Sequence, residues 1–187
     1  MVAQLLRKKF TVEQFHTMVE AGILSEDERV ELVRGEIIEM AAIGIKYAAC
    51  RRRLNNFLHQ KLGNKVIISI QNSVVLNEIS ELQPDVALLK SREDFYSSAH
   101  PHPIDVFLIL VVADSTIKYD REVIIPLYAE DGVIEVWLVD INDECVEVYR
   151  EPVNGKYQKV EKFVRGENLV IQAFDNVSIS LDEIFGK

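Results

Sequence analysis

The chain has 187 residues, of which 48% are hydrophobic and 27% charged, so it can build a sizeable core and is not a disordered polymer. Its 21 Lys and Arg against 30 Asp and Glu give a net charge of -9, which excludes a chain-wide basic nucleic-acid binder and leaves room only for a localised basic site. Cys50 and Cys145 lie far apart and offer neither a zinc spacing nor a disulfide framework. The longest apolar run, 106–113, is far short of the roughly 20 residues of a membrane span. Arg7, Lys8 and Lys9 follow the first apolar residues, the reverse of the order in a secretory signal. These observations predict one soluble, cytoplasmic domain over 1–187.

In chain order, Thr11 with Gln14 forms a capping box, and Val12, Phe15, Met18 and Val19 share the face of a first helix that ends at Gly22. Segments 30–33 and 36–40 read as a hairpin turned by Arg34-Gly35. Cys50, Leu54, Phe57 and Leu58 recur at helical spacing, which predicts a second helix over 46–62, stopped by Gly63. Strands follow at 66–71, 73–76 and 85–89, the last entered through Pro84. The stretch 91–103 is a polar loop. Residues 106–112 are apolar throughout, as in a strand covered on both faces. A helical segment spans 119–130 around Pro126, strands span 133–140 and 145–149, and Asn154-Gly155 turns a last hairpin before a short turn at 181–185. The pattern predicts an α/β (α+β) protein, a mixed β-sheet flanked by helices with an N-terminal helix and hairpin.

Gln83-Pro84-Asp85 opens a short strand about 25 residues before the buried one. Two carboxylates at the ends of adjacent strands would hold Mg²⁺ against a scissile phosphate, with a lysine to orient the attacking water. Alone, Pro-Asp is more simply a turn proline with an Asx-type cap.

The wider sequence adds to it. Segments 10–15, 28–38, 83–89, 112–115, 119–123 with 126–129, and 135–140 occur in an order that resembles the bacterial restriction-endonuclease-like family of unknown function within the PD-(D/E)XK nucleases. The resemblance covers roughly 10–151. It implies a restriction-endonuclease-like fold and endonuclease cleavage of DNA with Mg²⁺ or Mn²⁺. It also implies a metal and catalytic site of Asp85 and Glu31, with Gln71 as a polar neighbour. Two positions depart from the family: Val111 stands where it has a glutamate and Ile124 where it has a lysine, and Tyr47 replaces a common histidine. One hard ligand and one electrostatic partner of the water are thereby lost, each worth about 10²–10³ in rate. Asp114 and Lys118 are the candidates to compensate. Strand parity sets Asp114 opposite Val111, and Lys118 is more simply a solvated loop residue.

Other features have plainer readings. Arg51-Arg52-Arg53 fits either phosphate contacts or the wet face of a helix with acidic partners nearby. His100-Pro101-His102-Pro103 offers alternate histidines to a metal but reads as a stiff loop. Trp137 and Cys50 read as core. Three functions therefore compete: an impaired nuclease, a non-catalytic homologue that binds nucleic acid or protein, and a homodimer joined at an edge formed by the strands 133–139 and 145–149.

Overall fold

A computed structural model describes residues 7–25 and 27–186. The first six residues, where the leader reading began, lie outside these bounds. The capping box at Thr11 forms as expected and starts α1 (Val12–Glu20), whose apolar face buries Phe15. The chain then folds as a hairpin of β1 (Val30–Val33) and β2 (Glu36–Glu39). Arg34 and Gly35 both take positive φ, 49° and 79°, the geometry of a two-residue hairpin turn. Next come α2 (Ile45–Leu62), β3 (Ile67–Ser69) and β4 (Val74–Asn77). A short strand not expected from the sequence, β5 (Ser80–Leu82), precedes β6 (Val86–Leu89).

The apolar run forms β7 (Val106–Ala113). A continuous helical stretch follows, made of α3 (Ile117–Tyr119), a π segment (Asp120–Ile124) and α4 (Ile125–Glu130). Pro126 accounts for the wide turn: its ring clashes with the carbonyl four residues back and it lacks an N–H, so the helix opens before it. The remaining elements are β8 (Glu135–Asp140), β9 (Cys145–Val153), β10 (Lys156–Val164), β11 (Asn168–Ile171), β12 (Phe174–Ser180) and α5 (Leu181–Phe185).

Six strands form the main sheet in the order β10-β9-β8-β7-β6-β3, with β7 and β8 parallel and every other neighbour antiparallel. A second sheet has the order β2-β1-β5-β4, and β11 pairs with β12. The edge expected from the late strands is not there: β8 and β9 are interior, and the edges are β10 and β3.

Alternation along β7 divides the core. Leu108, Leu110 and Val112 pack with Cys50, Leu54, Phe57 and Leu58 of α2. Ile109, Val111 and Ala113 pack on the other side with Ile124, Leu127 and Tyr128 and with Val33, Val74 and Leu82 of the four-stranded sheet. The central strands are thus covered on both faces, which is why they are apolar at every position. The candidate chemistry sits where the strand ends of this second layer meet the π segment.

Candidate active site

Pro84 leads the chain into β6 and leaves Asp85 one residue before it, 6% exposed. The Gln71 N–H, at positive φ just after β3, donates to the carbonyls of Pro84 (3.1 Å) and Asp85 (3.3 Å) and fixes this turn. Gln71 is therefore beside the site, but beyond the strand on which it was expected. The Asp85 carboxylate accepts from the Val112 N–H at 2.6 Å and from the Tyr47 hydroxyl of α2. Gln71 Nε2 donates in turn to Tyr47 Oη at 3.2 Å. Tyr47, where the resemblance implied a histidine, thus holds a direct contact with Asp85.

Glu31 comes from β1. Its neighbour Leu32 pairs with Glu81 on one face of the four-stranded sheet, so alternation turns Glu31 to the other face, towards β6 and β7. It accepts from the Gln83 N–H at 3.4 Å.

A third acid joins them. Thr116, Asp120, Ile124 and Tyr128 follow one another at intervals of four, and all four line the same pocket. Asp120 is 8% exposed and accepts from Thr116 Oγ1 at 2.6 Å. Sequence reasoning quoted its motif but passed over the residue. The signal was available: Asp120 lies one helical turn before Ile124, the position at which the resemblance implied a lysine.

The pocket has a volume of about 410 Å³ and is lined by Glu31, Tyr47, Asp85, Val111, Asp120 and Ile124 among others. Val111 and Ile124, 7% and 5% exposed, belong to one apolar cluster and form its greasy wall. Asp114 is also at the wall, because β7 ends at Ala113 and strand parity no longer governs it. Asn142 Nδ2 tethers it, donating to its backbone carbonyl and to Oδ1. Lys118 is exposed and does not line the pocket. Among the described residues Arg29 is the one Lys or Arg that does.

This charge balance governs the acids. Burial pushes Asp85 up to about 8, against the Val112 N–H, and the charges of Asp120 and Glu31 raise it further while Arg29 opposes them. Burial likewise pushes Glu31 to about 7, with Asp120 adding to the rise. Asp120 is pushed to about 6, again by burial, although the Thr116 hydroxyl favours its ionised form. The three acids cannot all be ionised cheaply without a cation.

Their oxygens are hard donors of the kind Mg²⁺ and Mn²⁺ take. They do not close on one point: among the described residues, the only trio of His, Cys, Asp and Glu with ligand atoms all within 4.8 Å of one another is elsewhere in the molecule. Such spacing suits Mg²⁺, which keeps several waters and uses one or two carboxylates with substrate phosphates.

The three arginines of α2 separate around the helix. Arg52 and Arg53 are exposed, and Arg51 lies over the Tyr47 ring, 5.7 Å from its centroid. The acidic partners expected for them are not found: none of the three forms an ion pair among the described residues. Burial and the nearby charge of Arg29 hold Arg51 below its ordinary value. Cys50 is buried in the core, where desolvation pushes its thiol up to about 12. Among the described residues no helix is long and apolar enough to cross a membrane.

Comparison with solved structures finds a protein described as a putative nuclease belonging to DUF820 from Anabaena variabilis ATCC 29413. The TM-score is 0.74 at 19% identity, covering 94% of this chain and 97% of that one, so the two share the restriction-endonuclease-like mixed α+β fold. Comparison with curated proteins returns no match. The model of the Uma2 family, described as "Putative restriction endonuclease", matches residues 12–182. Nearly the whole of the described fold, with Glu31, Asp85 and Asp120 inside the matched span, is accounted for by that match, and the chain belongs to the Uma2 family.

Proposed function

We propose that this protein is a metal-dependent DNA endonuclease of the PD-(D/E)XK type whose cleavage is weakened by Val111 and Ile124. The observation that carries this reading is the open pocket lined by three acids, the buried Asp85 and Asp120 and the half-buried Glu31, with Arg29 as the one lining Lys or Arg among the described residues. A site retired from chemistry has no reason to keep desolvated carboxylates facing one another, since each is unfavourable unless paired.

Asp85 and Glu31 are the residues that would hold a divalent ion, Mg²⁺ or Mn²⁺. When bound, the ion supplies Lewis-acid polarisation of the scissile phosphate. Asp120 takes the proton of the attacking water from the helix face that the absent lysine would occupy. Tyr47 and the Val112 N–H keep Asp85 oriented. Arg29 and Arg51 provide the localised positive charge for DNA phosphates that a net acidic chain requires. We further read 1–187 as one cytoplasmic domain, and β10 as the edge that a homodimer would use.

Nicking of supercoiled plasmid in Mg²⁺ and then Mn²⁺ tests the proposal. Slow nicking by the wild type, lost in Asp85→Asn and in Asp120→Asn, is the expected result. Nicking that survives Asp85→Asn overturns it.

A second reading is favoured by one observation: Val111 and Ile124 join the same apolar cluster, so part of the pocket wall has become core. A non-catalytic homologue would bind DNA or protein without cleaving. Val111→Glu with Ile124→Lys separates the two. A gain of about 10²-fold or more in nicking is expected of a weakened nuclease, since each restored group is worth about 10²–10³. No nicking by either form leaves the non-catalytic reading standing.

A further inference from the structure

On the face of the four-stranded sheet opposite Glu31, three side chains from distant parts of the sequence converge. His16 comes from α1, Glu81 from β5, and His100 from the loop before β7. One ligand atom from each lies within 4.8 Å of the other two. His16 Nε2 is 2.6 Å from Glu81 Oε2, and the two imidazole centroids are 5.6 Å apart.

Each element is held independently. The capping box fixes the start of α1, and the Val12 N–H donates to Glu78 O at 2.8 Å, tying that helix to the turn before β5. The Val75 N–H donates to Pro101 O at 3.0 Å, which docks the residue after His100 onto β4. The convergence is therefore preorganised and not a chance meeting of long surface chains.

The chemistry of the trio is specific. Glu81 is 4% exposed and its carboxylate has no Lys or Arg partner among the described residues, only His16. Two imidazoles aimed at one buried carboxylate would repel if both were protonated, and both would be satisfied if neutral around a cation. Two histidines and one glutamate with an open fourth position form a common zinc donor set. Imidazole nitrogen selects such borderline metals over Mg²⁺. Metal bonds of about 2.0–2.2 Å put ligands roughly 3.3 Å apart. His16 Nε2 and Glu81 Oε2, at 2.6 Å, are closer than that and all three ligand atoms lie within 4.8 Å of one another, so small side-chain rotations suffice.

We propose that His16, Glu81 and His100 bind a divalent transition-metal ion of the Zn²⁺ class, clamping the loop before β7 onto α1 and β5. The site is distinct from the acidic pocket, because Glu81 and Glu31 lie on opposite faces of the four-stranded sheet.

The test is a Co²⁺ titration of the wild-type protein in excess Mg²⁺, read by visible absorption. Expected are the d–d bands of a nitrogen-ligated ion, saturating at one equivalent and displaced by Zn²⁺. His100→Ala, an exposed loop substitution that does not threaten the core, should weaken uptake by more than about tenfold, and His16→Ala likewise, since even the groups behind a ligand are worth about 10–100-fold. Asp85→Asn should leave the bands unchanged. The proposal is overturned by absence of the bands, by bands that survive both histidine substitutions, or by their loss in Asp85→Asn.

Discussion

Glu135 and the acids of the pocket lie on opposite faces of the central sheet, and they are built on opposite principles. Glu135, fully buried, accepts from Trp137 Nε1 (2.9 Å), from Arg150 Nε (2.8 Å) and Nη2 (2.6 Å), and from the Gln172 N–H (2.8 Å). Both its oxygens are satisfied and its charge is matched by a guanidinium. Asp85, Glu31 and Asp120 have few donors, no buried Lys or Arg beside them among the described residues, and an open cavity. A saturated acid locks strands together, whereas an unsaturated cluster keeps its lone pairs for something that arrives from solvent. The difference between them is thus one of partner count, since Asp85 and Asp120 are buried as Glu135 is.

The comparison can be broken first at its structural end. Glu135→Ala leaves the Trp137 N–H and the Arg150 guanidinium without their acceptor. It should lower unfolding stability by about 3–5 kcal/mol in a denaturant titration, with cation binding unchanged. A loss under about 1 kcal/mol would place Glu135 among ordinary surface pairs.

At the functional end, Tyr47→Phe removes the hydroxyl that donates to Asp85. A hydrogen bond to a charged group is worth about 1.5–3 kcal/mol. Because the hydroxyl favours the ionised carboxylate, the expected loss appears above pH 8 and shrinks at low pH, where Asp85 is protonated. A loss equal at both ends of the range would make Tyr47 a packing residue only.

The dependence of stability on pH is the most diagnostic. Asp85 and Glu31 are raised in the folded protein, to about 8 and about 7, so folding favours their protonated forms. That contribution is whole at low pH, below the carboxylates' ordinary values, and disappears as pH climbs through 7 and 8. In chelator, stability should therefore fall between about pH 5 and 9, by up to about 1.4 kcal/mol per pH unit for each titrating acid. Mg²⁺ should restore it most at the alkaline end, and Asp85→Asn should flatten the slope. A stability that rises with pH over this window would mean that these acids are already paired.

Much of the scaffold was legible in the chain. The Thr11–Gln14 cap, the Arg34-Gly35 and Asn154-Gly155 turns and the apolar β7 depend on neighbours within a few residues, and each formed where expected. The candidate acids Asp85 and Glu31 were legible through motif resemblance, and they meet at one pocket. Asp120 was missed because an aspartate in a charged helical stretch has the composition of a wet face. Only the packing of the π segment onto β7 buries it. β5 was missed because Ser80-Glu81-Leu82 has neither the length nor the alternation of a strand and owes its pairing to β1 and β4. The error over the dimer edge has the same origin, since nothing local tells an interior strand from an outer one.

Periodicity, caps, turns and motif order, all short-range properties of the chain, determined the helices, the hairpins and the membership of a nuclease-like family. Which carboxylates share a cavity, which histidine faces Glu81 and which strands close the sheet were decided by the tertiary structure alone. Those relations join residues far apart in the chain, such as Glu31 with Asp85 and His16 with Glu81, and only packing against a common core brings them together.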